Sequence, residues 1–371
     1  MDPCYKVEDT SEIITPALVL FRGLMEHNLD GMIKIAGDPS RLRPHCKTCK
    51  MSEVVHAFLE RGITKVKAAT FAEAEMVANA GARDVCLAYS LVGPNILRAV
   101  RFAERFPDVV FSVCADHTGP IDELSEAMSV ANQSVQVLLD IDTGQHRTGV
   151  EVGPAARALY EQIDRSDGLQ PGGFHVYDGQ NHQTLFDDRC EAVHQQWNRV
   201  IAFRDELVAA GFSVPRILAG GTVSFPVYAA IDDPTVELSP GTCVLNDHGY
   251  SEAFPDLDFP PATVILTRVI SRPTSDRITV DVGTKAVASD PPMGSRMVFP
   301  DLPDAKQVLH NEEHLVLQTA EAQRFQPGDE LMAIPTHICP TTALHKEVFI
   351  VEDQRVTQRW QVVARDRWLT I

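Results

Sequence analysis

The sequence predicts an α/β chain in which a (β/α)8 TIM-type barrel precedes a smaller, mostly β C-terminal domain. Three observations carry this. Short apolar runs alternate with longer amphipathic stretches about eight times over roughly 230 residues. Near residue 258 the texture changes to strand-like runs joined by Pro-, Gly- and Asp-rich turns. The 371 residues also exceed one ordinary domain and suit a barrel with a smaller partner. The barrel is read as residues 15–257 and the β domain as 258–371, with the lead 1–14 free to pack on the latter.

Taken in order, residues 21–36 read as helix after the lead. Strands are expected near 43–47, 64–67, 84–88, 109–114, 135–140, 171–177, 215–219 and 235–239. Helical periods lie between them, as at Met51–Gly62, Ala72–Ala82, Pro94–Phe106 and Pro154–Ile163. The longest, Thr184–Gly211, sets Trp197, Val200, Ile201, Phe203 and Leu207 on one buried face. A doubly wound sheet gives the same alternation, so the count leaves closure of the barrel open. Beyond 258, strands are expected at Thr263–Ser271, Asp276–Val282, Glu330–Ile334, Glu347–Val351 and Trp360–Val363.

Composition narrows the function. A formal net charge of −18, with no clustered Lys/Arg, argues against nucleic acid. A small anion can still bind where backbone N–H groups and one or two local cations outweigh the bulk charge. The opening MDPCYKVEDTSEIITP shows no secretory signal, and no apolar run approaches the roughly 20 residues that span a bilayer. The eight cysteines are scattered and read as reduced thiols. The expectation is a cytoplasmic enzyme.

Barrel enzymes draw their chemistry from the C-terminal ends of strands. The first such end is Arg43-Pro44-His45-Cys46-Lys47-Thr48-Cys49-Lys50. A lysine aimed into a barrel mouth forms a Schiff base once desolvation or a nearby cation lowers its pKa. Lys47 and Lys50 read equally well as surface lysines of a loop. Cys46 and Cys49 form a lone C-x-x-C without a second pair, which is poor support for zinc or redox chemistry. After the fifth strand comes Asp142-Thr143-Gly144-Gln145-His146-Arg147-Thr148-Gly149, whose arginine can hold a phenolate or carboxylate. Gly220-Gly221-Thr222 follows the seventh strand and Ser239-Pro240-Gly241-Thr242 the eighth, where barrels often bind phosphate.

Together these segments resemble the alanine racemase-type fold of pyridoxal-phosphate enzymes, and within it the D-threonine aldolase and D-serine dehydratase group. The likeness runs from about Thr15 to the C-terminus. It implies that Lys47, in the R-P-H-x-K-T segment, carries pyridoxal 5′-phosphate and that Arg147 meets its 3-hydroxyl oxygen. It implies a phosphate held by Gly221, Thr222, Gly241 and Thr242, and a pyridine nitrogen faced by Tyr177. His182, after the sixth strand, resembles a histidine of the aldolases that lies near the substrate hydroxyl. Cys49 stands where the group usually has histidine.

A metal pair is read at His337 and Cys339, because residues two apart in a strand point the same way. Imidazole with thiolate suits zinc, with manganese or magnesium as alternatives, and leaves positions open for water and substrate. Dehydratases of the group resemble this H-x-C form, whereas its aldolases often show H-x-D. His310-Asn311-Glu312-Glu313-His314 also matches the inverted zinc-protease pattern, but Leu315-Val316-Leu317 follows and no long helix is suggested. That segment is expected instead to line the β domain's side of the site, with an acid or His314 near the metal.

The resulting expectation is a metal-assisted D-threonine aldolase-like lyase, cleaving D-β-hydroxy amino acids to glycine and an aldehyde. Its rivals are a dehydratase acting on D-serine or D-threo-3-hydroxyaspartate to give a 2-oxo acid and ammonia, a racemase that would need no metal, and a non-catalytic carrier of the cofactor. The resemblance also implies a homodimer.

Overall fold

The computed structural model describes residues 5–371. The first elements are strand β1 (Ala17–Phe21) and helix α1 (Arg22–Ala36). There follow strands β2 (Lys65–Ala68), β3 (Asp84–Ser90), β4 (Val110–Ala115), β5 (Val135–Asp140), β6 (Leu169–Val176), β7 (Ile217–Ala219) and β8 (Val236–Leu238). Alternating with them are α2 (Ser52–Glu60), α3 (Phe71–Asn79), α4 (Pro94–Arg105), α5 (Thr118–Val130), α6 (Pro154–Arg165), α7 (Phe186–Ala209) and α8 (Phe225–Ala229). The C-terminal region holds α9 (His248–Ala253), β9 (Thr263–Thr274), β10 (Arg277–Val280), β11 (Met297–Val298), β12 (Lys306–His310) and β13 (Leu315–Gln318). It ends with β14 (Glu330–Pro335), α10 (Ile338–Leu344), β15 (Glu347–Glu352) and β16 (Arg355–Gln361).

Strands β2 to β8 form one parallel sheet in sequence order. The segment 42–46 closes it. Leu42 bridges Leu238 on one side and His45 bridges Lys67 on the other, both parallel. The Arg43 and His45 amides donate to Leu238 and Pro240 at 2.8 Å, while Cys46 donates to Lys67 at 2.9 Å. The first expected strand is therefore present as a short bridged segment, and the sheet is a ring rather than a doubly wound stack.

Arg43, a charged residue in a strand of this ring, has its partners inside the ring. Arg43 is fully buried, with Nε donating to Glu237 at 2.6 Å and its two terminal nitrogens clasping Asp84 at 2.8 and 2.9 Å. Lys65 donates to the other Glu237 oxygen at 2.7 Å. Burial opposes the charge on Arg43, but Glu237 and Asp84 outweigh it and keep the guanidinium ionised. An ionic layer thus ties the 42–46 segment to β2, β3 and β8.

By contacts the chain divides into two compact units, and the division departs from the expected boundary at 257. The second unit takes the described residues up to Met32, the short stretch Thr48–Met51, and Thr242–Asp366. Its sheet runs β12-β13-β10-β9-β1-β15-β16, with β14 also on β9 and β11 on β14. The reason is β1, whose Ala-Leu-Val-Leu-Phe run is buried at every position and pairs antiparallel to β9 and parallel to β15. Read as part of a lead, that run was not foreseen as a strand. Tyr5, Val7 and Ile13 pack with Val19, Phe21, Val264, Leu266 and Phe349 in the core of the same unit.

Candidate functional site

In the barrel, Lys47 follows the closing segment directly, and its Nζ lies 5.9 Å from the centre of the Tyr177 ring. The Arg147 guanidinium lies 4.7 Å from the same ring. The loop that delivers Arg147 is folded by Asp142, which accepts from the Gly144 and His146 amides at 2.9 and 3.1 Å and from the His146 ring at 2.8 Å. Gly149 ends the turn at φ +96°, where a Cβ would sit 2.8 Å from the Asp142 nitrogen. The aspartate and second glycine of the D-T-G-x-x-R-x-G stretch therefore shape the loop, and the arginine is its product.

Tyr177 is held by close packing. A Cβ on Gly179 would come within 2.5 Å of its ring, and one on Gly221 within 3.2 Å. Beneath it, buried Asp178 accepts from Ser224 at 2.7 Å and Asn181 at 2.9 Å, and burial raises its pKa. Ser224 in turn accepts from the Gly221 amide at 3.1 Å, and Thr222 accepts from the Gly241 amide at 3.2 Å. Both loops expected to cradle phosphate are thus stitched together by hydroxyls, and those two amides already have acceptors. The Ser239 hydroxyl, in the same loop as Gly241, is buried without a partner.

Sequence reasoning passed over several groups lining this barrel. His45 is pushed well below the usual imidazole range by burial and by Lys47, Lys67 and His175, which keeps it neutral. His175 Nδ1 lies 2.7 Å from Asp140, whose carboxyl is held below its ordinary range by His175 and Thr148 against the cost of burial. Their signal was inward alternation along the closing segment, β5 and β6, visible only once the strands were placed. His182, by contrast, is exposed on the loop after β6, and none of these contacts ties it to Lys47, Arg147 or Tyr177.

The metal pair lies in the other unit, and its local geometry differs from the expectation. β14 ends at Pro335, His337 caps α10, and Cys339 lies within that helix, so the two are not alternate residues of a strand. They still converge. Burial disfavours charge on His337, but hydrogen bonds to Cys339 and Asp290 lift its pKa to about 9. Burial likewise opposes a thiolate at Cys339, and His337, Thr242 and Thr48 outweigh it and lower its pKa. The Thr48 and Thr242 hydroxyls lie 3.1 and 3.4 Å from the Cys339 sulfur, so Thr242, expected at the phosphate, turns its hydroxyl to the thiol. His337 Nδ1 meets Asp290 at 2.5 Å, leaving Nε2 for an ion. Asp247 accepts from the Ile338 and Tyr250 amides at 2.9 Å, and burial raises it to about 6. Among the described residues no three His, Cys, Asp or Glu side chains gather as a metal cage.

The H-x-x-E-H segment forms no helix, as the following Leu315-Val316-Leu317 suggested, but its two acids do not sit with the candidate metal pair. It forms the β12–β13 hairpin, with the Asn311 amide donating to the His314 carbonyl at 2.8 Å, and no helix aligns its histidines. Glu312 and Glu313 pair with Lys285 at 2.8 and 3.1 Å, so these acids serve that lysine rather than the His337–Cys339 pair. None of the seven described cysteines forms a disulfide.

Comparison with known proteins supplies the family. Residues 22–244 match the model of the alanine racemase N-terminal domain. The chain belongs to that family. Residues 262–351 of this family member match a second model, described as "Putative serine dehydratase domain". A D-threonine aldolase of Arthrobacter sp is 29% identical, over 98% of this chain and 96% of its own. A D-threo-3-hydroxyaspartate dehydratase of Delftia sp. (strain HT23) is 24% identical, over 94% of this chain and 96% of its own. The crystal structure of D-threonine aldolase from Filomicrobium marinum superposes with a TM-score of 0.89 at 28% identity, covering 98% of this chain and 99% of that one.

The barrel residues fit the cofactor of this fold. They offer a lysine amine beside an aromatic ring, an arginine on the same ring, glycine loops at the last two strand ends, and an unpartnered buried hydroxyl at Ser239.

Proposed function

We propose that the protein is a pyridoxal-phosphate-dependent lyase of the D-threonine aldolase kind, cutting small D-β-hydroxy amino acids into glycine and an aldehyde. The observation that carries it is the convergence of Lys47 and Arg147 on Tyr177 at the barrel's strand ends. The full-length likeness to an aldolase supports it. Bound pyridoxal 5′-phosphate supplies the electron sink for the pair released as Cα–Cβ breaks.

Lys47 would hold the cofactor through its amine. Arg147 holds the phenolate oxygen by charge-assisted hydrogen bonds. Tyr177 offers no carboxylate to protonate the ring nitrogen, which weakens the sink relative to an aspartate partner. The Thr222 and Ser239 hydroxyls would supply polar groups for the phosphate, and Gly221 and Gly241, whose amides are already bonded, would leave room for it. His182 takes the proton of the substrate hydroxyl in this reading. His337 and Cys339 hold a divalent ion, with zinc suited to imidazole plus thiolate, and the ion's chemistry is Lewis-acid polarisation of a substrate oxygen.

Cys339 favours a second reading. A thiolate where the aldolases of the group often carry a carboxylate points to a dehydratase, in which Lys47 takes the Cα proton and hydroxide leaves. A non-catalytic carrier is disfavoured by the second domain, which matches a dehydratase-type model. Purified protein with cofactor and zinc or manganese is given D-threonine and D-serine separately. Glycine with acetaldehyde from D-threonine supports the aldolase, and pyruvate with ammonia from D-serine supports the dehydratase. No product from either, with or without metal, sinks both.

A further inference from the structure

One buried cation of the barrel has no part in the site described above. Lys67 lies on β2 two residues beyond Lys65, on the same inward row, and is 2% exposed. Its backbone helps close the ring, donating to the Pro44 carbonyl and accepting from the Cys46 amide, each at 2.9 Å. Its side-chain amine behaves differently from that of Lys65. Whereas Lys65 pairs with Glu237 at 2.7 Å, the Lys67 amine makes no hydrogen bond and no ion pair among the described residues. A buried lysine ordinarily needs a carboxylate, because desolvating an unpaired ammonium is costly.

The groups that face it come from every neighbouring strand. His45 stands on the closing segment and Lys47 directly after it, Cys86 on β3, Cys114 on β4, and Asp140, paired with His175, on β5. Burial lowers the Lys67 pKa to about 8, Lys47 pushes the same way, and Cys86, Cys114 and Asp140 pull against them. A desolvated lysine near a second cation has the environment in which amines become nucleophiles at ordinary pH.

We propose that Lys67 is a second carbonyl-reactive amine of the barrel, forming an imine with an aldehyde when the Lys47 amine is absent or already bonded. The nitrogen lone pair attacks the carbonyl carbon, forming C–N while the C=O pair becomes a hydroxyl with a proton from the amine. Loss of that hydroxyl with the second amine proton, as water, leaves C=N, and nothing is oxidised or reduced. The inference rests on Lys47 as first anchor and deepens the aldolase reading, since the cofactor and one product of that reaction are both aldehydes. Lys67 would capture either one reversibly.

The test is borohydride reduction of the full-length protein with pyridoxal 5′-phosphate, followed by peptide mass mapping. The unaltered protein is expected to carry the label on Lys47. Lys47→Ala moves it to Lys67, with a yield that rises with pH through about 8. Lys47→Ala combined with Lys67→Met abolishes it. A second arm avoids substitution: once reduction has blocked Lys47, acetaldehyde with cyanoborohydride should ethylate Lys67 about tenfold faster than the exposed Lys306. Label on Lys47 in the unaltered protein, with Lys67 unmodified in both arms, overturns the inference and makes Lys67 a buried structural cation. Label on Lys67 in the unaltered protein keeps the inference and overturns the Lys47 anchor. Label on neither overturns both.

Discussion

At the scale of single residues, the candidate metal pair shows how far a motif can be read. His337 and Cys339 are legible because a histidine and a thiol two apart form a short pattern. Asp290 is not, because it lies 47 residues earlier and only folding brings its carboxylate to the imidazole. That carboxylate fixes the proton on Nδ1, so Nε2 remains for a metal. Asp290→Asn is expected to weaken zinc binding about 10- to 100-fold, measured by competition with a chromogenic chelator, while bound pyridoxal phosphate is unchanged. Equal affinity in the variant would remove Asp290 from the site. The pH dependence has a definite sign. His337 is raised to about 9, so a metal must displace a proton at neutral pH. Affinity should climb as pH rises and level off near 9, and a chelator titration across that range that stayed flat would contradict it.

Elements were easier to recognise than to place. The helices and most strands follow from period and punctuation, since amphipathic stretches between apolar runs leave little choice. Two assignments failed for a shared physical reason. β1 is a short apolar run that becomes a strand only because β9 and β15 receive it, and His337–Cys339 enters α10 because β14 ends at Pro335. The segment 42–46 is the converse case, an expected strand whose buried Arg43 is explained only once Asp84 and Glu237 are seen across the barrel. Arg43→Ala would strip Glu237 and Asp84 of their shared buried guanidinium, leaving Glu237 with Lys65 at 2.7 Å and Asp84 with Arg216 at 3.4 Å, at a cost of about 3 kcal/mol, read as a lowered urea midpoint; an unchanged midpoint would show the layer to be dispensable. Burial raises the Glu237 pKa, but Arg43 and Lys65 outweigh it and hold it below the ordinary 4.5. The stabilisation from that residue is therefore complete above 4.5 and lost as pH falls through its lower folded value.

For the whole molecule, binding and stability are linked. A ligand that binds only the folded chain stabilises it by about 2.7 kcal/mol at a hundred times its Kd. Stripping the cofactor with hydroxylamine should lower Tm, and adding pyridoxal 5′-phosphate should restore it, with a smaller gain in Lys47→Ala. Identical gains in both proteins would argue that Lys47 does not hold the cofactor. By itself the sequence determined the barrel, the second β-rich region, and the short segments carrying Lys47, Arg147 and the glycine loops, because periodicity and turn chemistry are local. Only the tertiary structure decided that the ring closes through 42–46, that Arg43 is neutralised within it, that Thr242 turns to Cys339, and that Lys67 is buried without a partner. Each of these depends on which distant side chains share one low-dielectric interior, and that is set by packing rather than by neighbours along the chain.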